Sequence, residues 1–228
     1  MGATDVPSTT PDRDPVAASP AVPATHGVTK IEVASGSIPT RVAVAFTILA
    51  LLLEAASLVF YAAAAGYSTA ISVPPIVLLA SGQSGARLIE WGSLVDMFGY
   101  LCIAPVVLYL RDRYAGARLI NLYAVAGIAL VVVGAIGDVV MRAAAPYLIR
   151  QYQVASPAGR HSLDFVFGVL YRGVVEGMWQ TLVALLAAIW LIGTAFAVRD
   201  TASRTVLVIM LVIGLATAAI GVFRLTGL

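Results

Sequence analysis

The segment from 168 to 200 limits most strongly what this chain can fold into. Its sequence, GVLYRGVVEGMWQTLVALLAAIWLIGTAFAVRD, is a long, mostly apolar run with Glu176 near one end. About twenty apolar residues, at ~1.5 Å per residue, cross a ~30 Å hydrocarbon core, and a single segment satisfies its backbone there only as a helix. The segment is therefore predicted to be a transmembrane helix that contains a charged side chain.

The same pattern recurs along the chain. Hydrophobic residues make up 60% of the sequence and charged residues 11%, with a mean hydropathy of +0.94. These values lie far from those of soluble globular proteins. We predict an all-α polytopic membrane bundle of five main transmembrane helices, at about residues 42–65, 91–110, 119–145, 168–198 and 205–223.

Two connecting segments differ from simple loops. The apolar piece Ile71 to Ala80 is interrupted by Pro74 and Pro75 and is too short to cross the membrane, so it is predicted to be re-entrant or interfacial. The segment from 146 to 167 is more polar, and we predict a loop there, with room for a short interfacial helix.

Residues 1–40 form a separate region, and residues 41–228 form the predicted bundle. The first region is rich in Pro, Ala, Ser and Thr, contains six of the eleven prolines and has no apolar run long enough to pack. This composition predicts a disordered tail. The alternative is a segment that folds when it docks on a partner.

The basic residues give an orientation. Arg111, Arg113 and Arg118 flank one short turn, and Arg199 and Arg204 flank the other. The positive-inside preference places these turns, and with them the tail, on the cytoplasmic side. The chain is thus predicted to be a multi-pass protein of the cell membrane with its N-terminus cytoplasmic and its C-terminus outside. The composition, with thirteen Arg, one Lys and abundant Ala, Val and Gly, suggests a GC-rich bacterial genome.

Charged residues within the spans indicate a polar pocket. Counting ~1.5 Å per residue from the Arg that marks each inner boundary places Glu54 and Asp96 roughly 20 Å up and the other charges about 30 Å up or higher. Charged groups at such depths should face the bundle interior or water and have a partner. The candidate pocket residues, all on one half of the protein, are Glu54, Asp96, Tyr100, Asp138, Arg142, Arg172, Glu176, Trp179, Gln180 and Arg224.

Partners are suggested by helical spacing. Asp138 with Arg142 and Arg172 with Glu176 are four residues apart, and they form either interfacial ion pairs that only clamp helices or part of the pocket. Glu54 and Asp96 have no basic residue at their own level, and we expect at least one of them to hold a proton. Tyr100 and Gln180 lie one turn below Asp96 and Glu176, where they serve either the pocket or interhelical hydrogen bonds. Trp179 is a belt residue or a cavity wall.

Missing residues exclude several functions. The spans contain no Lys for a retinal Schiff base and no His for haem, and no Glu-x-x-His pair or Cys/His-rich spacing suggests a di-iron or zinc site. Nucleotide-binding loops, a GxSxG elbow and a basic nucleic-acid face are also missing. The single Cys102 cannot form an intramolecular disulfide. We therefore predict no cofactor, no metal and no nucleic-acid partner.

Three stretches show a resemblance to known proteins: GSLVDMFGYLCIAPVVLYLRDRY, GAIGDVV and YRGVVEGMW. The order of features from Arg41 to Leu228 resembles a group of small bacterial integral-membrane proteins that share a domain of unknown function. The long Pro-rich tail and the interrupted first loop depart from that pattern. The resemblance implies an architecture but no reaction.

Three functional hypotheses follow from the sequence. The first is a non-enzymatic membrane protein whose pocket, open toward the outer half, binds or moves a proton, a cation or a small amphiphile; transport through five spans would require a homo-oligomer. The second is an intramembrane isomerase or cyclase acting on a lipid or isoprenoid, with Asp96 or Glu54 as general acid. The third is a signalling or assembly subunit that works through its tail.

Overall fold

A computed structural model of the chain describes residues 38–67 and 73–226. The predicted tail, except for residues 38–40, and the first residues of the predicted re-entrant segment lie outside the described residues. The helices are α1 Thr40–Ala64, α2 Pro75–Leu79, α3 Gly82–Arg113, α4 Ile120–Val154, α5 Pro157–Tyr171, α6 Ala184–Ala197 and α7 Arg204–Thr226, with a π-helical segment, π1 Arg172–Val183, between α5 and α6.

The predicted all-α membrane bundle is confirmed. α1, α3, α4, α7 and the continuous helix Pro157–Ala197 are each long and apolar enough to cross a membrane. This continuous helix, formed by α5, π1 and α6, is called the fourth span below. Large apolar side chains along α1 and α7, such as Leu51, Leu58 and Leu215, are more than 60% exposed, which suits contact with lipid.

Helix boundaries follow local chemistry. Pro157 occupies the first turn of α5, and the side chain of Ser156 caps that helix by accepting a hydrogen bond from the Gly159 N–H at 3.3 Å. Arg111 and Arg113 lie in the last turn of α3, where their positive charges interact favourably with the negative end of the helix dipole. α1 is followed by Gly66 with φ +66°, a backbone conformation suited to glycine.

Three helices are longer than the sequence predicted. α3 begins at Gly82, α4 continues to Val154, and the fourth span begins at Pro157. The predicted loop from 146 to 167 is therefore wrong. Hydropathy marks where the hydrocarbon ends, whereas residues such as Arg, Gln and Leu favour helix on either side of that boundary.

The extra turns lie together at one end of the bundle, here called the extended end. Successive spans are antiparallel, so the first turns of α3, the last turns of α4 and the first turns of α5 are neighbours. At ~1.5 Å per residue, the 35 residues of α4 measure about 52 Å, well beyond a ~30 Å hydrocarbon core. A core cluster that includes Leu79, Ile89, Ile149 and Phe167, all fully buried, holds this end together.

The order of packing is simple. α1 packs on α3, α3 on α4, α4 on the fourth span, and α7 on α6 and π1. The five-residue helix α2, too short to cross a membrane, packs against α5 and α4 and contributes Leu78 and Leu79 to the core. α1 has no comparable contact with any other helix of the described ranges, and this leaves a gap between α1 and the fourth span.

Candidate functional site

A cavity of about 420 Å³ fills the gap between α1 and the fourth span. We call it the lateral cavity. Residues of six elements (α1 to α5 and π1) and of the segment between α1 and α2 line it: Glu54, Ser57, Leu58, Tyr61, Ala62, Ala65, Val73, Leu78, Asp96, Met141, Tyr171, Val175, Trp179 and Gln180. Leu58 is 70% exposed on the outside of α1, so the cavity opens sideways, toward the lipid.

The α1 wall is one helical face. Glu54, Ser57, Tyr61 and Ala65 follow each other at intervals of three or four residues, which aligns them along one side of an α-helix. The Tyr61 hydroxyl shares a 2.7 Å hydrogen bond with the Ser93 hydroxyl of α3, which is fully buried. The Tyr61 ring also meets Trp179 edge to face, at 6.1 Å between centroids, across the gap. These contacts fix the aromatic part of the cavity.

Three carboxyl groups meet at the polar end of the cavity. Asp96 lies next to Glu54, Asp138 and Ser57. We call Glu54, Asp96 and Asp138 the carboxyl cluster. Gly99 makes room for it, since a Cβ there would lie 2.8 Å from Glu54 Oε1. Carboxylates this close repel one another, which favours a proton on at least one of them.

Several oxygen atoms at this end have no hydrogen-bond donor. Asp138 is 1% exposed, and neither of its carboxyl oxygens is paired with a donor; Glu54 Oε1 and Gln180 Oε1 are also buried and unpaired within the described part of the chain. An unpaired buried acceptor costs about 1–3 kcal/mol. Glu54 and Gln180 line the lateral cavity, whereas Asp138 lies behind Asp96.

The depth of Asp138 differs from the prediction. Counting from flanking arginines placed it well above Asp96, yet the two carboxyls are in contact. The helix ends explain the difference: Asp96 lies 17 residues before the end of α3 at Arg113, and Asp138 lies 18 residues after the start of α4 at Ile120. Because antiparallel helices rise equally per residue, the two side chains are level.

The π-helical segment shapes the opposite wall. Tyr171 and Gln180, nine residues apart, would be about two and a half turns apart in an α-helix and would face opposite directions. The wider π turn, with its i to i+5 hydrogen bonds, makes nine residues about two turns. Tyr171, Val175 and Gln180 therefore share the cavity face, and π1 is the reason that Gln180 lines the cavity together with Tyr171.

Glycines of α4 seat two aromatic side chains of the predicted site. The Tyr100 ring lies against Gly134, and the Trp179 indole lies against Gly137, so that a Cβ at either position would clash with the ring. Trp179 Nε1 donates a long hydrogen bond of 3.4 Å to the Gly134 carbonyl. Trp179 is thus a cavity wall. Tyr100 packs beside the carboxyl cluster without lining the cavity.

The structure brings part of the predicted site together. Glu54, Asp96, Trp179 and Gln180 line the cavity, while Asp138 lies behind Asp96. Glu176 and Arg224 are both half-buried and close to Tyr171, outside the cavity lining. The remaining two predicted residues, Arg142 and Arg172, are exposed and also lie outside it.

The predicted ion pairs are wrong. Over residues 38–67 and 73–226, the ion pairs are Arg111–Asp112, Arg150–Glu90 and Arg199–Asp200, so neither Asp138 with Arg142 nor Arg172 with Glu176 is paired. Asp138 lies on the buried face of α4, whereas Arg142 is exposed. A long Arg side chain near the end of a span reaches the interface and its water, which is cheaper than staying inside.

The sequence analysis missed ten of the fourteen lining residues; six of these are aliphatic, and the other four are Ser57, Tyr61, Met141 and Tyr171. Ser57 and Tyr61 had a usable signal, because they lie three and seven residues after Glu54 and therefore share its helical face. Met141 stands in the same relation to Asp138. Tyr171 had none, since its alignment with Gln180 depends on the π-helix.

Comparison with known proteins adds nothing to this geometry. No protein-family model, curated protein or solved structure matches the chain. Among the described residues, no group of three or more His, Cys, Asp or Glu side chains is arranged to hold a metal ion. The chemistry of the lateral cavity has to be inferred from the residues that line it.

Proposed function

We propose that this chain is a non-enzymatic membrane protein that takes a small amphiphile from the bilayer into the lateral cavity. The observation that supports the proposal is one space with two kinds of wall. Leu58, Val73, Leu78 and Val175 form an apolar part, and the carboxyl cluster with its neighbours forms a polar end. An amphiphile likewise has an apolar chain, which fits the apolar part of the cavity, and a polar head group, which fits the polar end.

The size and position of the cavity suit such a ligand. A volume of about 420 Å³ lies within the ~300–1,000 Å³ typical of small-molecule pockets. The opening lies beside the lipid-exposed Leu58, so a ligand dissolved in the bilayer reaches the cavity without crossing water. Aromatic side chains of Tyr61, Trp179 and Tyr171 give rigid contact area at low entropy cost.

The packing makes the other non-enzymatic hypotheses less suitable. A protein that only assembles would have paired polar groups and no cavity, unlike the unpaired acceptors here. A transport path would have to pass the apolar clusters around Leu130, Val131 and Val183 and around Val107 and Trp190, which fill the bundle between the cavity and the end opposite the extended end. Binding of a ligand that enters the lateral cavity from the bilayer requires no path across the membrane.

An intramembrane enzyme is the second candidate, because one observation favours it. The carboxyl groups of Glu54 and Asp96 line a cavity walled by Tyr61 and Trp179, and aromatic faces stabilise a positive charge that develops on a substrate. Protonation of an isoprenoid double bond by Asp96 or Glu54 would use this arrangement.

For location, we propose the cell membrane, with the extended end and C-terminus outside and the N-terminus cytoplasmic, as the basic turns predict. The multi-pass character itself follows from the five long apolar helices. A homo-oligomer is required only if the ligand is moved across the bilayer.

Photolabelling tests the proposal. The full chain in liposomes is incubated with a ten-carbon alcohol that contains a diazirine, irradiated, and digested for mass spectrometry. We expect labels on the cavity face of α1 and on π1. Ala62→Trp, which fills the cavity, should abolish them, whereas Leu51→Trp on the lipid-facing side of α1 should not. Equal labelling of both variants, spread along the lipid-exposed surface, would contradict the proposal.

A further inference from the structure

We propose that the lateral cavity selects amphiphiles whose polar end is a primary or secondary amine. The proposal rests on the proposed function and specifies its ligand class. The amine enters from the lipid as the neutral base and receives a proton from the carboxyl cluster. Three independent features of the cavity lead to this class of ligand: its charge, its unpaired atoms and its walls.

The charge around the cavity is one-sided. Its polar end contains Glu54 and Asp96, with Asp138 directly behind, and no Arg or Lys of the described ranges lines it. Arg142 and Arg172 are exposed elsewhere. The titratable side chains in or beside the cavity are Glu54 and Tyr61 of α1, Asp96 and Tyr100 of α3, Asp138 of α4, Tyr171 of α5 and, near Tyr171, Glu176 of π1 and Arg224 of α7. Phosphate or carboxylate head groups would be repelled here.

The unpaired atoms are all acceptors. The buried side-chain atoms around the carboxyl cluster that lack a partner are Glu54 Oε1, both oxygens of Asp138 and Gln180 Oε1. Asp138 is 99% buried and in contact with Asp96, which lines the cavity. A primary ammonium group supplies three N–H donors and a secondary one supplies two, with no acceptor, whereas an alcohol supplies a single donor and adds acceptor lone pairs. Of the residues that carry these atoms, Glu54 and Gln180 line the cavity, and an amine supplies more of the donors that they lack than a hydroxyl does.

The proton transfer balances without another reactant. The amine nitrogen uses its lone pair to take the proton of a carboxyl O–H that the cluster shares; the O–H bond breaks and an N–H bond forms. The products are an ammonium and a carboxylate side by side, and the total charge does not change. Entry as the neutral base avoids moving a charge through hydrocarbon, which costs about 3 kcal/mol or more.

The walls complete the match. Tyr61 and Trp179 place two aromatic rings next to the carboxyl end, and such rings attract alkylammonium groups. An inorganic cation is a poorer fit, because the described carboxyls do not form a group arranged to hold a metal ion. The apolar part of the cavity then accepts the alkyl chain.

Competition distinguishes the ligand classes. The diazirine alcohol labels the full chain in liposomes, and decylamine, decanol and decyltrimethylammonium are added as competitors. A charge-assisted hydrogen bond contributes more than a neutral one, so decylamine should compete at a concentration roughly tenfold or more below decanol. Decyltrimethylammonium has no N–H and no neutral form, and it should compete more weakly than decylamine.

Two variants and a matched control follow. Asp96→Asn and Glu54→Gln keep the shape but remove the acid, so the advantage of decylamine over decanol should fall to less than about threefold. Glu90→Gln, on the same helix as Asp96 but paired with Arg150 outside the cavity, should keep the full advantage. Cavity labelling with equal competition by decanol and decylamine in the unaltered chain would overturn the amine proposal and leave the proposed function intact. If the unaltered chain shows no cavity labelling at all, both the amine proposal and the proposed function would be overturned.

Discussion

Replacing Gly137 by alanine tests whether α4 holds Trp179 as the wall of the lateral cavity. The added Cβ would overlap Trp179 Nε1 and lie 3.0 Å from Cε2, closer than real Cβ atoms come to other atoms. The indole is rigid, and its Nε1 donates to the Gly134 carbonyl at 3.4 Å. The ring must therefore move outward, into the cavity, and the hydrogen bond is lost.

The size of the effect follows from three contributions. Overpacking of this kind costs about 1–3 kcal/mol, and loss of the hydrogen bond costs about 1 kcal/mol. Alanine in place of glycine stabilises the helix by up to about 1 kcal/mol, because alanine has the higher helix propensity. We expect a net destabilisation of about 1–3 kcal/mol. Gly168→Ala is the matched control, because a Cβ at Gly168 meets no atom within 4 Å and only the propensity gain remains.

Thermal unfolding of both variants in the same detergent measures the difference. At about 2–4 °C per kcal/mol for a chain of this size, Gly137→Ala should melt roughly 5–10 °C below Gly168→Ala. The cavity labelling should fall in Gly137→Ala only, because the displaced ring occupies the space. A Gly137→Ala variant as stable as Gly168→Ala, with unchanged labelling, would show that Trp179 is not seated on α4.

Three further predictions concern neighbouring contacts. Gly99→Ala should push the Glu54 carboxyl away from Asp96 and weaken decylamine competition severalfold. The melting temperature should stay close to that of the unaltered chain, because the displaced atom lies at the end of a flexible side chain. An unchanged competition curve would contradict this prediction. Tyr61→Phe should cost about 1–2 kcal/mol by leaving the Ser93 hydroxyl unpaired, and the double variant with Ser93→Ala should cost less than the sum of the two single changes, as a double-mutant cycle in unfolding free energy shows. Gln180→Cys, with Cys102 replaced by serine, should react with a small membrane-permeant thiol reagent and be protected by decylamine, whereas Gly177→Cys on the exposed side of π1 should show no such protection.

Hydropathy predicted the number of spans because the solvent leaves few alternatives. A long apolar run in lipid has to be a helix, so the five helices and the α-helical class could be derived from Leu, Val and Ala content alone. The ends could not. Residues 146–154 and 157–167 are helical although they are polar enough to leave the hydrocarbon, since outside the membrane helix formation depends on propensity and packing. Buried Ile149 and Phe167 supply that packing.

The sequence predicted which residues belong to the candidate site where burial of a charged group is energetically costly. It did not predict which side chains from different helices come into contact. Glu54 and Asp96 were assigned to a shared site because a buried carboxyl is expensive, and they are in contact. Asp138 was predicted either to be part of the pocket or to form an ion pair with Arg142, because Asp138 and Arg142 are four residues apart. The structure pairs it with Asp96 on another helix, and only knowledge of where α3 ends and α4 begins brings those two to the same level. The proposed kinship with small bacterial membrane proteins stays a prediction.

The π-helix links the missed features of the site to its function. Twelve π-helical residues are an unusually long run, and such segments cluster at functional sites because they widen the helix and misalign its neighbours. Here the widened turn places the unpaired Gln180 oxygen and Tyr171 on one face of the cavity. If the segment became α-helical, Tyr171 and Gln180 would face apart, and the polar end would lose one of its unpaired acceptors. The irregular segment thus has a consequence for the proposed ligand binding that a regular helix with the same side chains would not provide.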